Sequence, residues 1–285
     1  MSKEYIRTYY FISFFSSLAI SFFFATYAIF LASNGLNLMQ IGIIASISMA
    51  CLLLFEVPTG AFADSYGRKK SIIIGFGAIS IATAIYFVSK SFEYFALAEI
   101  VAGIGIVFVS GAMDAWIVDS LKYKGSSENI SKIFARGMQA SQVGLILGSL
   151  TGAYIGSIDI ALPWAASSIF CMMLAIICMR IMKEEYEISK KRKISEIRDI
   201  AVNGIKYSIK NKDIMYIVMF GALVIFSSKA LDVQWTLVFK NTYSLDIKYL
   251  GWIFVGFSIF MMIGAQASIY LMKRIENDRK TIILS

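Results

Sequence analysis

A small set of ionisable side chains lies inside or at the rim of long apolar stretches: Glu56, Asp64, Arg68, Glu99, Asp114, Asp119 and Arg136. A charge at membrane depth costs about 2.5–3.5 kcal/mol on insertion scales, so it faces a partner or a water-filled cavity. Carboxylates held this way can take up and release protons or grip a cationic solute. Histidine is absent, which removes the commonest general base and metal ligand. Cys51, Cys171 and Cys178 sit in apolar runs without metal-ligand spacing and read as small core residues. No nucleotide-binding loop and no nucleophile constellation occurs. The expectation is a protein that handles a small solute, with no metal or cofactor, and not an enzyme.

The elements that must position these residues are membrane spans. The chain has 285 residues, is 58% hydrophobic and 16% charged, and has a mean hydropathy of +0.70; a soluble domain is nearer about 45–50% apolar. The charges cluster between apolar runs, and the short alternating segments of a β-barrel are missing. This is the pattern of an all-α polytopic membrane protein. Eight runs reach the roughly 20 residues a span needs: Tyr9–Ala32, Met39–Ala63, Ser71–Ser89, Phe92–Leu121, Gly137–Ser157, Ile160–Met182, Ile214–Phe239 and Tyr249–Met272. The first lacks a small-residue cleavage site and is too long for a signal-peptide core, so it reads as retained. Basic loops fall on one side: Lys3 and Arg7; Arg68, Lys69 and Lys70; Lys122, Lys124, Lys132 and Arg136; Lys190 to Lys193; and the tail from Lys273. The positive-inside rule then predicts a cytoplasmic N-terminus. The net charge of +8 lies in these loops, so it reports orientation in a lipid bilayer and not nucleic-acid binding.

Between the second and third spans lies Gly60-Ala61-Phe62-Ala63-Asp64-Ser65-Tyr66-Gly67-Arg68-Lys69-Lys70. It is too short for a linker, so the two spans are adjacent and antiparallel. Gly60 and Gly67 permit close approach or positive φ, and Asp64 needs a cationic or helix-N-terminal partner. The stretch resembles the signature loop of the major facilitator superfamily, Gly-x-x-x-Asp-x-x-Gly-Arg-Lys/Arg. Gly60, Asp64, Gly67, Arg68 and Lys69 match; Ser65 stands where the family often has Arg. The lead-in Phe55 to Gly60 resembles a drug-efflux-like branch. The resemblance implies that Asp64 and Arg68 form a gate with an acid at the end of the fourth span, a place matched by Asp119. The alternative is that these charges only fix topology.

The superfamily is built of two six-span halves, and an internal repeat agrees with that build. Leu36 to Ile44 aligns with Leu245 to Ile253 at an offset of 209, and Lys69 to Ile74 with Arg279 to Leu284 at 210. Residues 1–182 then make one half, 183–213 a cytoplasmic linker whose mixed charges suggest a surface helix, and 214–285 two spans and the start of a third. The chain therefore reads as a C-terminally truncated transporter in a bacterial plasma membrane.

At roughly 100° per residue, Glu99 and Asp114 lie about 60° apart on the fourth span and Asp119 about 160° the other way. The first two are expected to share a cavity face as proton or substrate groups, unless Glu99 snorkels outward. Glu56 is a further proton candidate, with Arg136 as its expected partner, and Pro58 is expected to bend the helix beside it. Lys229 and Asp232, at i and i+3, either neutralise each other or meet substrate. Gly144, Gly148, Gly152 and Gly156 form a small-residue stripe for close helix packing. It resembles the family's antiporter motif, with Ser149 where Pro is expected and Ala153 where Gly is. Aromatic residues of the first span, Phe11 to Phe30, could line a site for apolar or cationic compounds; lipid-facing bulk is the other reading. The resemblance implies a proton-coupled exporter working by alternating access, with uptake of another solute or a non-transporting remnant as alternatives.

Overall fold

The computed structural model describes residues 2–186, 211, 215–216, 219–220 and 234–264. Seven helices fill the first block: α1 (Ser2–Ser21), α2 (Tyr27–Ser33), α3 (Leu38–Tyr66), α4 (Arg68–Val88), α5 (Phe92–Tyr123), α6 (Ile130–Ile158) and α7 (Leu162–Ile181). Beyond them lie α8, residues 234–243, and α9, Ile247–Gly264. Among the described residues, α3, α4, α5, α7 and α9 are long and apolar enough to cross a membrane. The fold is all-helical there. The Lys229–Asp232 pair and most of residues 187–233 lie outside the described residues.

Packing follows from where small residues allow approach. α4 sits between α5 and α7, α3 packs on α5, and α1 packs on α6. One core gathers around Trp116, Tyr9, Ile72 and Phe76 at the end that carries Arg68. A second gathers around Trp164, Tyr86, Phe95 and Phe30 at the opposite end. In that second core Trp164 stacks on Tyr86 at 4.0 Å and on Phe23 at 4.2 Å between ring centroids. Four of the first span's aromatics are thus used in packing: Phe22 and Phe30 are buried, and Phe23 and Tyr27 lie against Trp164.

The glycine stripe of α6 faces the backbone of α1. A Cβ on Gly144 would strike the Phe14 carbonyl, on Gly148 the Leu18 carbonyl and Ser21 Oγ, and on Gly152 the Phe22 carbonyl; on Gly156 it would come within 2.7 Å of Thr26 Cγ2. Ser149 and Ala153, the two departures from the family's motif, face α9 instead. There Gly251 supplies the space: a Cβ on it would lie 2.8 Å from Ala153 Cβ and 3.3 Å from Ser149 O.

The first span is not one helix, as the sequence suggests, but two. Between Ser21 and Tyr27 the backbone makes shorter turns, with Phe24 N–H donating to Ser21 O at 3.1 Å and Thr26 N–H to Phe23 O at 3.0 Å. Ser21 and Thr26 hydroxyls donate back to Leu18 O and Phe23 O, each at 3.2 Å. Such back-bonding loosens a helix, and the break falls where Phe22 presses against Gly152. Hydropathy cannot show it, because the residues across the break remain apolar.

The internal repeat has a matching local geometry. Asn37 caps α3 through a capping box with Gln40, and Asp246, at the equivalent place, accepts from Lys248 N–H at 3.2 Å at the start of α9. Two residues earlier, Gly35 has φ +85° and Ser244 φ +51°. The turn needs a left-handed residue in both copies, where only glycine is free of strain.

Substitutions at these glycines separate close packing from backbone strain. Gly152→Ala should cost about 1–3 kcal/mol, as overpacking does, seen as a lowered thermal midpoint of the detergent-solubilised protein. Gly77→Ala, with open space around its Cβ, should be neutral or stabilising by up to about 1 kcal/mol. Gly35→Ala should likewise destabilise by about 1–2 kcal/mol, the left-handed penalty, while Ser244→Gly should not.

Candidate functional site

Gly67 alone joins α3 to α4, at φ +105°. The one-residue link carries the register of α3 into α4, so Asp64 and Arg68 meet across the break. The Arg68 guanidinium forms an ion pair with Asp64, and its Nε lies 3.6 Å from Asp119 Oδ2 on α5. One cation thus bridges two anions on three helices, with side chains 18%, 29% and 35% exposed for Arg68, Asp64 and Asp119. Removing the cation leaves two carboxylates near each other, which costs more than either anion's loss. Lys69 Nζ donates to Met179 O at 2.7 Å, in the last turn of α7, where the helix dipole favours a cation. Around Gly60 a Cβ would meet nothing within 4 Å among the described residues.

Hydropathy and motif spacing gave no hint of a strap over this cluster. Residues 183–186, expected as the start of a surface helix, are not helical. They cross the ends of α1, α4 and α5. Lys183 Nζ donates to Glu4 Oε1 at 2.7 Å, and its carbonyl accepts from Trp116 Nε1 at 3.0 Å. Glu184 Oε1 accepts the Arg68 backbone N–H at 2.6 Å and the Tyr186 hydroxyl at 2.9 Å. Glu185 forms an ion pair with Lys124. The Glu184 carboxylate satisfies an orphan donor at the start of α4 and opposes the dipole there. It also occupies the space beside Gly67: a Cβ there would lie 3.0 Å from Glu184 Cδ. The physical reason for the missing helix is that Lys183, Glu184 and Glu185 each have a tertiary partner and Tyr186 packs against the core. The one sequence signal was the charged Lys183-Glu184-Glu185-Tyr186 directly after the apolar run.

The three other carboxylates do not converge. Asp114 is exposed and accepts the Tyr9 hydroxyl from α1 at 2.8 Å. Tyr9 itself fits because α6 has Gly137 against its ring. Glu99 instead accepts from Tyr86 on α4 at 2.6 Å and from Ser48 on α3. Glu99 and Asp114, expected from the wheel to share a face, thus bond to different helices, since α5 meets different neighbours at different heights. Glu99 is not snorkelling. Glu56 is exposed on α3, a helix that does not pack against α6. Its expected partner, Arg136, lies instead beside Lys3, Arg7 and Lys132. α3 runs unbroken through Pro58 from Leu38 to Tyr66. Tyr9, Ser48 and Tyr86 were invisible to a search for charges, because neutral hydroxyls in apolar runs carry no periodic signal.

Loosening the strap has measurable consequences. Glu184→Gln and Trp116→Phe should each speed tryptic cleavage after Lys183 several-fold, while Lys70→Gln should not. Lys124 is pushed up, first by its hydrogen bond to Glu185, and Glu185 is held down, first by the same bond. The pair therefore acts fully between the two titrations: it is lost as pH falls through the lowered carboxyl range or rises through the raised lysine range. Amide-exchange protection of residues 183–186 should be flat around neutral pH and fall only below the ordinary carboxylate range.

Comparison with known proteins agrees with this architecture. The sequence model for the Major Facilitator Superfamily matches residues 9–285. An uncharacterised transporter of this type from Bacillus subtilis (strain 168), YxaM, is 25% identical over 267 residues, which is 92% of this chain and 65% of that protein. Multidrug resistance protein 2 of the same organism is 26% identical over 136 residues, 48% of this chain and 33% of that one. The chain thus spans less than two thirds of the length of these curated relatives. The crystal structure of the human organic anion transporter MFSD10 (TETRAN) superposes with a TM-score of 0.65 over 91% of this chain and 70% of that one, at 15% identity, a likeness of fold. With its matched model and its two-anion, one-cation loop between α3, α4 and α5, this chain belongs to the major facilitator superfamily of membrane transporters, which are not enzymes.

Proposed function

We propose that the protein exports a drug-like small molecule in exchange for protons, by alternating access, with its N-terminus and the Arg68 end on the cytoplasmic side. The observation that carries this reading is Asp114. It is an exposed carboxylate on a membrane-spanning helix, gripped by the hydroxyl of Tyr9 on the neighbouring α1. A carboxylate so placed faces a partner or a water-filled cavity, where a proton or a cationic solute can reach it. The tyrosine fixes its orientation without neutralising it. Glu56, exposed on α3, is a second group able to carry a proton; Glu99, tied to two hydroxyls between helices, holds α3, α4 and α5 together instead.

Asp64, Arg68 and Asp119 act as the latch of the cytoplasmic-side closure. The ion pairs that tie α3, α4 and α5 form and break as one unit, which suits a two-position element. Export, not uptake, is supported by the likeness to a multidrug resistance protein and by the resemblance of Gly144, Gly148 and Gly152 to the family's antiporter motif.

Accumulation of a fluorescent cationic dye in cells producing the protein tests the reading. Accumulation should fall, and collapse of the proton gradient with nigericin should restore it. Asp114→Asn should abolish the effect and Asp114→Glu should keep part of it. Unchanged accumulation in producing cells would remove dye export; lowered accumulation that ignores nigericin would remove proton coupling.

A further inference from the structure

At the end that carries Arg68 lies a second charged feature, which the latch does not use. A cavity of about 270 Å³ opens between the first two turns of α1 and the start of α6, lined by Lys3, Arg7, Lys132, Arg136 and Glu128. Four cations thus face one acid. Glu4, the other nearby carboxylate on α1, is taken by Lys183. Among the described residues, none of the four cations is in an ion pair. The 29-residue helix α6 begins here, with Asn129 capping one N–H, and its positive dipole end adds to the field. Like charges gathered at two adjoining helix ends repel, and a bound anion relieves the repulsion.

The surroundings indicate what kind of anion. Ile6 and Ile133 form an apolar wall of the cavity. One turn along α1 from Arg7, Phe11 is 38% exposed, and two turns past Arg136 on the same face of α6, Val143 is 50% exposed. The cationic pocket therefore grades into uncovered apolar surface further along both helices. A free phosphate ion would use the first part only; an acidic lipid would use both. A merely orienting set of basic residues requires neither a cavity nor an apolar exit.

We propose that this pocket binds the phosphate headgroup of an acidic phospholipid, with an acyl chain passing beside Phe11 and Val143. Basic pockets between helices near the membrane surface take such headgroups. The lipid would tie the start of α1 to the start of α6, the pair already locked by the glycine stripe. The proposal does not depend on the direction or coupling of transport.

The test is native mass spectrometry of the full chain in detergent, titrated with dioleoyl phosphatidylglycerol or dioleoyl phosphatidylcholine. One phosphatidylglycerol should be retained at a concentration about tenfold below that needed for phosphatidylcholine. The triple variant Lys3→Gln/Arg7→Gln/Lys132→Gln should lose at least about tenfold in affinity, and Lys132→Gln alone about fivefold. Lys70→Gln/Lys122→Gln, two cations elsewhere on the same end, should lose nothing. Equal retention of the two lipids overturns the proposal. So does an equal loss in both sets of variants, which would mark general surface charge. Displacement of the lipid by inorganic phosphate at matching concentration would show a free-phosphate site and also overturn it.

Discussion

Arg68 is the charge around which this end of the molecule is arranged. Its side chain holds Asp64 and Asp119, and its backbone N–H holds Glu184. One residue thereby joins α3, α4, α5 and the segment after α7. A guanidinium suits this place, since its planar fork can serve two carboxylates at once. The arrangement requires the single-residue link at Gly67. A side chain there would be strained at φ +105° and would also meet Glu184. The glycine of the motif is therefore needed for two separate reasons, a backbone angle and an occupied volume.

The strap makes the motif a property of a whole half and not of one loop. Lys183, Glu184 and Glu185 each reach a different helix. The individual exposed pairs contribute little by themselves. Together with the Trp116 and Arg68 hydrogen bonds they fix where the chain leaves the first bundle. Any movement of α4 against α5 must strain these contacts, because Arg68 and the segment after α7 share them. Arg136, which the sequence offered as a partner for Glu56, serves a different neighbourhood because α6 is pulled onto α1 by its glycines, away from α3.

The contact of α6 with α1 sets a second constraint, and it propagates to chemistry. Gly137 leaves room for the Tyr9 ring, and that ring carries its hydroxyl to Asp114. Further along, Gly152 receives the Phe22 carbonyl at the break between α1 and α2. The motif departures at Ser149 and Ala153 make sense only with α9 in view, where Gly251 provides the clearance that a glycine on α6 would otherwise give.

Hydropathy and motif spacing were enough for the helical membrane class, the adjacency of α3 and α4, the Gly67 turn and the meeting of Asp64 with Arg68. The sequence also showed the repeat that pairs Asn37 with Asp246. Each of these rests on local information: hydropathy over about 20 residues, a one-residue link, or a cap at fixed spacing. Four features came from the packing of helices: Glu99 and Asp114 part company, Tyr9 reaches Asp114, the first span breaks at Ser21 to Thr26, and Glu184 closes over Arg68. These depend on which helix lies beside which at a given height. A helical wheel gives the angle of a side chain but not the neighbour it meets, and neutral hydroxyls and backbone donors leave no trace in charge or hydropathy.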